Sequence, residues 1–197
     1  MISEELRSLV RCPDCRGRLQ TSSSELICPK CGRHYPTADH SFLDLRPNSR
    51  FDETTKYLDE KLHEDERYET VSLPLLSTAI RNDMLNKFLD FEAGDRVLDL
   101  GCGSGRFLVW NTLPGIHLVG IDVSPHFALE ARNNVDLLLG DLRRLPIEDG
   151  AFSKAYSFDV LEHLSRDDLV SMLDEANRVL EPGGRLFVYS HVRQNSI

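Results

Sequence analysis

Residues 96–105, Arg-Val-Leu-Asp-Leu-Gly-Cys-Gly-Ser-Gly, constrain this chain more than any other stretch. Val97, Leu98 and Leu100 form a short apolar run that stops at a cluster of glycines. The pattern predicts a buried parallel strand opening into a tight turn, with a helix from about Ser104. Gly101, Gly103 and Gly105 carry no Cβ, so the backbone there can pass close to a ligand. A ligand of nucleotide type would sit at the carboxyl edge of this strand, beside the start of the helix.

Acidic residues narrow the choice of ligand. A dinucleotide fingerprint needs a third glycine where Arg106 stands. Asp99 lies two residues before the first glycine, where a carboxylate opposes a pyrophosphate. Both residues argue against a nicotinamide-dependent oxidoreductase. Asp122 ends an apolar run over 117–121, Asp141 follows another over 137–139, and Asp159 follows Phe158. As successive parallel strands, these runs place four aspartates along one edge of one sheet. Such an edge repels phosphate and suits a ligand carrying an ammonium, a sulfonium and a ribose diol, as S-adenosylmethionine (SAM) does. Cys102 reads as a small turn residue, because four aspartates are the wrong setting for a thiolate.

Five segments occur in order: VLDLGCGSG (97–105), GIDVSP (120–125), GDLRRLPIEDGAF (140–152), FDVLEHL (158–164) and RVLEPGGRLFVY (178–189). Together they resemble the class I SAM-dependent methyltransferases over about residues 94–191. The resemblance implies an α/β fold, a doubly wound, mostly parallel Rossmann-like sheet of strand order 3-2-1-4-5. It places Asp99, Gly101, Gly103 and Gly105 at the methionine end of SAM, Asp122 at the ribose hydroxyls, and Asp141 and Leu142 at the adenine. Val123 and Phe158 complete the implied cofactor-binding set. Glu162 and His163, just past strand four, are the candidates for a general base, which is needed only if the acceptor carries a proton. Bracing the next helix is their competing role. Ser153 stands where the family commonly has aspartate, and Lys154 interrupts the apolar strand. The further strands of the family sheet are missing after strand five. Leu186 to Tyr189 is therefore expected as an open edge that invites self-association or a protein partner.

Four of the five cysteines lie near the front, as Cys12-Pro-Asp-Cys15 and, twelve residues on, Cys28-Pro-Lys-Cys31. Two such pairs on opposing turns can hold zinc tetrahedrally. Gly17 and Gly32 suit the knuckle turns. The segment has few apolar residues and needs a metal staple to fold. Disulfides fit a secreted chain better than one that starts Met-Ile-Ser-Glu-Glu-Leu, without a basic and apolar leader. His34 and His40 are expected to be solvated or packed, since four thiolates already close the site. Residues 9–47 resemble the small zinc ribbons found as methyltransferase activators and at the front of some bacterial methyltransferases. His40 stands where glycine commonly makes the turn. The expected division is a ribbon over 1–47 and a SAM-binding domain over 48–197, with the domain staying folded if the ribbon is lost.

Between these parts, a charged amphipathic helix is expected over 52–69, with Tyr57 and Tyr68 as candidates to face an acceptor. A second helix starts at Pro74, with Leu76, Ile80, Met84 and Phe88 on one face, expected to pack on the sheet. Ser124-Pro125 predicts a capped helix start.

Net charge is −9, and it is uneven: residues 1–47 sum to +1 and residues 48–197 to −10. An acidic second domain is a poor stand-alone nucleic-acid binder. No apolar run reaches membrane-spanning length, so a cytoplasmic protein without a membrane span is expected. The function these features imply is SAM-dependent methyl transfer to a small or lipid-like acceptor. The alternatives are a SAM-fold partner module with little catalysis, and an rRNA methyltransferase that reads its substrate with the ribbon.

Overall fold

A computed structural model describes residues 2–22, 25–37, 41–47 and 71–191. The helix expected over 52–69, Tyr57, Tyr68, His40 and residues 192–197 lie outside these.

The chain opens with helix α1 (Glu4–Leu9). Three short strands follow, β1 (Gln20–Thr21), β2 (Glu25–Ile27) and β3 (His34–Pro36), paired antiparallel in that order. Strand β4 (Leu43–Asp44) then leaves this small sheet for a larger one. Helix α2 (Leu76–Leu89) precedes the alternating part of the chain: β5 (Arg96–Leu100), α3 (Arg106–Trp110), β6 (His117–Asp122), α4 (Leu129–Asn134), β7 (Asp136–Leu139), β8 (Phe152–Phe158), α5 (Arg166–Val179) and β9 (Leu180–Tyr189).

The large sheet runs β4-β7-β6-β5-β8-β9, and every neighbouring pair is parallel. Its last five strands are the expected 3-2-1-4-5 order. Both faces are covered, which is what lets parallel strands be apolar throughout. Leu98, Leu100 and Leu186 join the core on the side of α1, the small sheet and α5. Val97, Phe187 and Tyr189 join the core with α2, α3 and α4.

The sixth strand, β4, was not foreseen. Leu43 pairs with Leu138 and Asp44 with Leu139, inside the segment expected to be ribbon alone. Leu6, Leu9, Val10, Leu43 and Leu45 share one apolar cluster with Leu98, Val119 and Ala176. Polar contacts follow the same seam. The Arg11 amide donates to the Pro146 carbonyl at 2.9 Å, and Arg16 pairs with Glu175 at 2.7 Å. The ribbon has too little apolar surface for a core of its own and borrows the sheet's.

Three local readings are corrected. The Leu76, Ile80, Met84 and Phe88 face of α2 points outward; Leu85 and Leu89 are the buried positions. The fourth helix begins at Leu129, not at Ser124-Pro125. The Ser124 amide donates to Asp122 at 2.9 Å, and Arg132 holds the carbonyls of Pro125 and Phe127, so this stretch stays outside the helix. Pro182-Gly183-Gly184 form a bulge inside β9, where the register slips between Phe152/Leu180 and Lys154/Arg185. Lys154 no longer looks out of place: its ammonium reaches Asp95 at 2.5 Å and the Asp90 carbonyl at 2.5 Å.

At the amino end of the sheet, Ser3 caps α1 and also anchors it. The Ser3 amide donates to Asp136 at 2.9 Å, its hydroxyl donates to the same carboxylate, and His117 Nε2 lies 2.6 Å from that carboxylate. Burial opposes ionisation, but the hydrogen bonds from His117 and Ser3 hold the Asp136 carboxyl below its ordinary value. A depressed carboxyl contributes stability above the ordinary range of about 4 and loses it as pH falls through the folded value. Protection of the α1 amides, relative to an unstructured chain at the same pH, should therefore fall on acidification below about pH 4. In Asp136→Asn that protection should already be low near neutrality and change little with acid.

Candidate functional site

The carboxyl ends of β5, β6, β7 and β8 open on one cavity of about 480 Å³, within the range of small-molecule sites. Asp99, near the end of β5, is 2% exposed and reaches its wall. It stands in register with Gly120 on one side and Tyr156 on the other. The chain then turns through Gly101 (φ +82) and Gly103 (φ +53), both in the left-handed region. A Cβ at Gly101 would collide with Val160, whereas the Cβ direction of Gly103 meets nothing within 4 Å. One glycine thus seats the turn against the loop after β8, and the other leaves room for a ligand.

Asp122, at the end of β6, holds this turn. Its carboxylate accepts from the Gly103 amide at 2.8 Å and from the Ser124 amide at 2.9 Å. Each oxygen can accept more than one bond, so ribose hydroxyls can still be received. Burial drives the Asp99 carboxyl well above the usual range; Tyr156 opposes this, and the nearby Asp122 charge adds to it. The same burial, with Asp99 and Asp122, pushes the Cys102 thiol up. That setting suits a small packed residue, not a nucleophile.

The four aspartates do converge on the cavity, but they do not act alike. Asp141 is paired with Arg143 at 2.8 Å, and Arg143 also reaches Asp168 at 3.2 Å. Asp159, itself in the left-handed region (φ +55), is paired with Arg81 of α2 at 2.6 Å. The cation-attracting end is therefore the β5–β6 side, narrower than the even acidic edge that the sequence suggests. Val123, Leu142 and Phe158 also line the cavity. Phe158 stacks on Phe107, ring centroids 4.1 Å apart. Gly105 is not among the lining residues; it caps α3, and a Cβ there would press on Ala131 at 2.7 Å.

Of the two candidate bases, His163 lines the cavity and Glu162 does not. The Glu162 carboxylate accepts from the Ser190 hydroxyl and ties the loop after β8 to the end of β9. Despite some burial, the Ser190 hydrogen bond holds it below its ordinary value. This contact runs to the end of strand β9 rather than to the following helix, which the competing role would have braced. Arg81, Arg143 and Tyr156 were missed. Arg143 had a signal, two residues past Asp141; Arg81 had none, because only the packing of α2 beside β8 and β9 brings it to the site.

These features fit SAM. The cavity offers an acidic pair for its cationic end, open space beside Gly103, and aromatic and aliphatic side chains for its adenosine. The buried carboxyl Asp99 works against the ligand-free fold: with a raised value, stability falls as pH rises from about 4 toward the folded value. Asp99→Asn should accordingly raise the melting temperature of the ligand-free protein near neutral pH by a few degrees. The same change should weaken SAM binding in calorimetry.

The second constellation is the cysteine cluster. The thiol sulfurs of Cys12, Cys15, Cys28 and Cys31 all lie within 4.8 Å of one another. Cys12 and Cys31 are 3.6 Å apart, and Cys15 and Cys28 are 3.4 Å apart; none is in a disulfide. Four sulfurs placed tetrahedrally about 2.3 Å from zinc would be about 3.8 Å apart, so the donor set fits that ion. The two knuckles turn through left-handed residues at Arg16 (φ 56) and Gly32 (φ 72). Gly17 has a different task from the expected turn: a Cβ there would come within 3.0 Å of the Cys28 sulfur. His34 stays at the surface with Glu25 at 3.0 Å.

The protein should carry about one zinc per chain, and Cys28→Ser should lose it on metal analysis. Since the ribbon shares the main core, that variant should melt lower as a whole, in one calorimetric transition. Survival of an undisturbed second domain would contradict the shared core.

Comparison with known proteins agrees with both constellations. Residues 98–188 match the family model of a methyltransferase domain, and residues 3–39 match that of Trm112p-like proteins. The probable tRNA methyltransferase 9B of Mus musculus is 33% identical over 102 residues, covering 51% of this chain and 22% of that protein. The O-methyltransferase rstn1 of Aspergillus nomiae is 35% identical over 105 residues, covering 48% of this chain and 46% of that one. This chain thus spans less than half the length of either relative. Among solved structures, the PH0226 protein from Pyrococcus horikoshii OT3 superposes with a TM-score of 0.57 at 25% identity, covering 68% of this chain and 63% of that one. Residues 98–188 are therefore similar to the methyltransferase-domain family, and residues 3–39 to the Trm112p-like family.

Proposed function

We propose that this chain binds SAM in the cavity at the carboxyl edge of the sheet and transfers its methyl group to a small or lipid-like acceptor. The observation that carries the reading is the paired carboxylates of Asp99 and Asp122 around a left-handed glycine turn, inside a cavity of about 480 Å³. When bound, SAM supplies an activated methyl group on a sulfonium.

The chain's own residues bind, orient and exclude water. Asp99 and Asp122 set the cationic and ribose end, and the Gly103 amide is fixed by Asp122 so that the turn keeps its shape. Phe107 and Phe158 form a flat wall that sheds water from the reacting region. Where the acceptor carries a proton, His163, one of two histidines that line the cavity, is the candidate to receive it. The Arg81–Asp159 pair at the rim fixes α2 against β8 and bounds the acceptor side.

The acceptor class rests chiefly on charge. Residues 48–197 carry −10, and a domain of that sign gains little from phosphate neutralisation. The likeness to a probable tRNA methyltransferase supports the rival reading of an RNA acceptor. Transfer of labelled methyl from SAM to a small-molecule or lipid extract, and not to bulk tRNA or rRNA, is the expected outcome. Labelling of RNA alone would overturn the acceptor class. In calorimetry, Asp122→Ala should weaken SAM binding by about 1–3 kcal/mol through loss of charge-assisted hydrogen bonds. Equal binding by that variant would show that the ligand lies elsewhere.

A further inference from the structure

Among the described residues, Tyr156 is the largest side chain that is fully buried. On β8 it stands in register with Asp99 of β5. Paired residues of parallel strands point to the same face, so phenol and carboxyl lie side by side on the face packed with α2, α3 and α4. Asp99 reaches the cavity wall and Tyr156 does not. The phenol therefore stands behind the carboxyl, on the side away from a ligand.

Its hydroxyl is the unexplained part. Burying a hydroxyl without a partner costs stability, and the ring already packs against Phe158, centroids 5.9 Å apart. The Tyr156 oxygen is buried with no partner of full hydrogen-bond geometry. The polar group it approaches is Asp99, and its effect there is to favour the charged carboxylate. Contacts of this kind are commonly loose in a ligand-free site and tighten when the ligand arrives.

We infer that Tyr156 is a positioning residue for Asp99: its hydroxyl donates to the carboxylate from behind when a cationic ligand takes the cavity in front. The inference rests on the SAM reading above. Asp99 also faces Asp122 of β6, whose charge favours the neutral carboxyl, and Cys102 of the turn, whose thiol is itself pushed up. Elsewhere around the cavity Arg81 of α2 is paired with Asp159, and Arg143 is paired with Asp141 and Asp168; Arg106 of α3, His126 and His163 complete the titratable lining. Binding is then an exchange at one carboxyl. The Asp99 proton leaves to solvent and the ligand's positive charge takes its place. The phenol, pushed well up by burial and by Asp99, keeps its own proton and shares it with the new carboxylate.

SAM titrations by calorimetry between about pH 5 and 9 test this. In the parent, affinity should fall as pH falls, because the proton competes with the ligand for Asp99. Tyr156→Phe keeps the ring and removes the hydroxyl, and its circular dichroism should be unchanged. Its affinity should be about tenfold lower at the acid end, the size of one hydrogen bond to a charged group, and should converge on the parent as pH rises. A hydroxyl that only packs would give the same loss, or none, at every pH. In Asp99→Asn, where no carboxylate remains, adding Tyr156→Phe should leave the pH profile of the residual binding unmoved. A shift there would mean that the hydroxyl serves another group, and would overturn the inference. Parallel profiles in a parent that binds SAM would overturn the inference alone. A parent that binds no SAM at any pH would overturn the SAM reading, and this inference with it.

Discussion

Asp122 receiving the Gly103 amide is the contact on which the site depends. It joins the end of one strand to the turn after the next, so the spacing of β5 and β6 fixes the shape of the glycine loop. Sheet pairing holds strands about 4.8 Å apart, which leaves the turn little freedom. The cost appears next door. Asp99 is buried in register beside Tyr156, where water cannot solvate its charge. A fold optimised for stability alone would not place a carboxyl there. Tyr156 offsets part of that cost, and the SAM-binding role proposed for Asp99 would account for the rest.

The ribbon is bound to this framework by the same reasoning of insufficient surface. A few dozen residues with four cysteines cannot exclude enough water by themselves. The chain solves this twice, by gathering thiols for a metal and by feeding Leu6, Leu9, Val10 and Leu43 into the sheet's own core. The ribbon's Arg16 and Arg11 then close the seam through Glu175 and Glu148. Such a ribbon is less an appendage than an outer layer of the sheet.

Much of this was legible in the sequence because strands, turns and metal knuckles are written locally. VLDLGCGSG shows its strand and its turn within ten residues, and the cysteine spacing shows its metal. What was not legible depended on distant contacts. Nothing in Phe42-Leu43-Asp44 reveals that these residues pair beside Leu138. Ser124-Pro125 carries a good helix-start signal, yet Asp122 and Arg132 take up the backbone groups that a cap would use. The period-four pattern of α2 predicted the helix but could not tell which face would be buried, since two apolar faces compete and Leu85 and Leu89 win the inner one. Arg81 and Arg143 were hidden for a related reason: charge is visible in a sequence, but the pairing that cancels it is not.

The pairing of β4 with β7 bears on how the chain matures as it leaves the ribosome. The ribbon is made first, and its cysteines can gather metal at once. Its apolar residues, however, belong to a core whose other half, Leu138, Ile147 and Ala176, is synthesised far later. Parallel pairing over that separation cannot be rewarded until the intervening loop closes. The amino-terminal segment therefore keeps unsatisfied greasy side chains until those later residues are made. Early metal capture shortens the list of shapes that segment can explore while it waits.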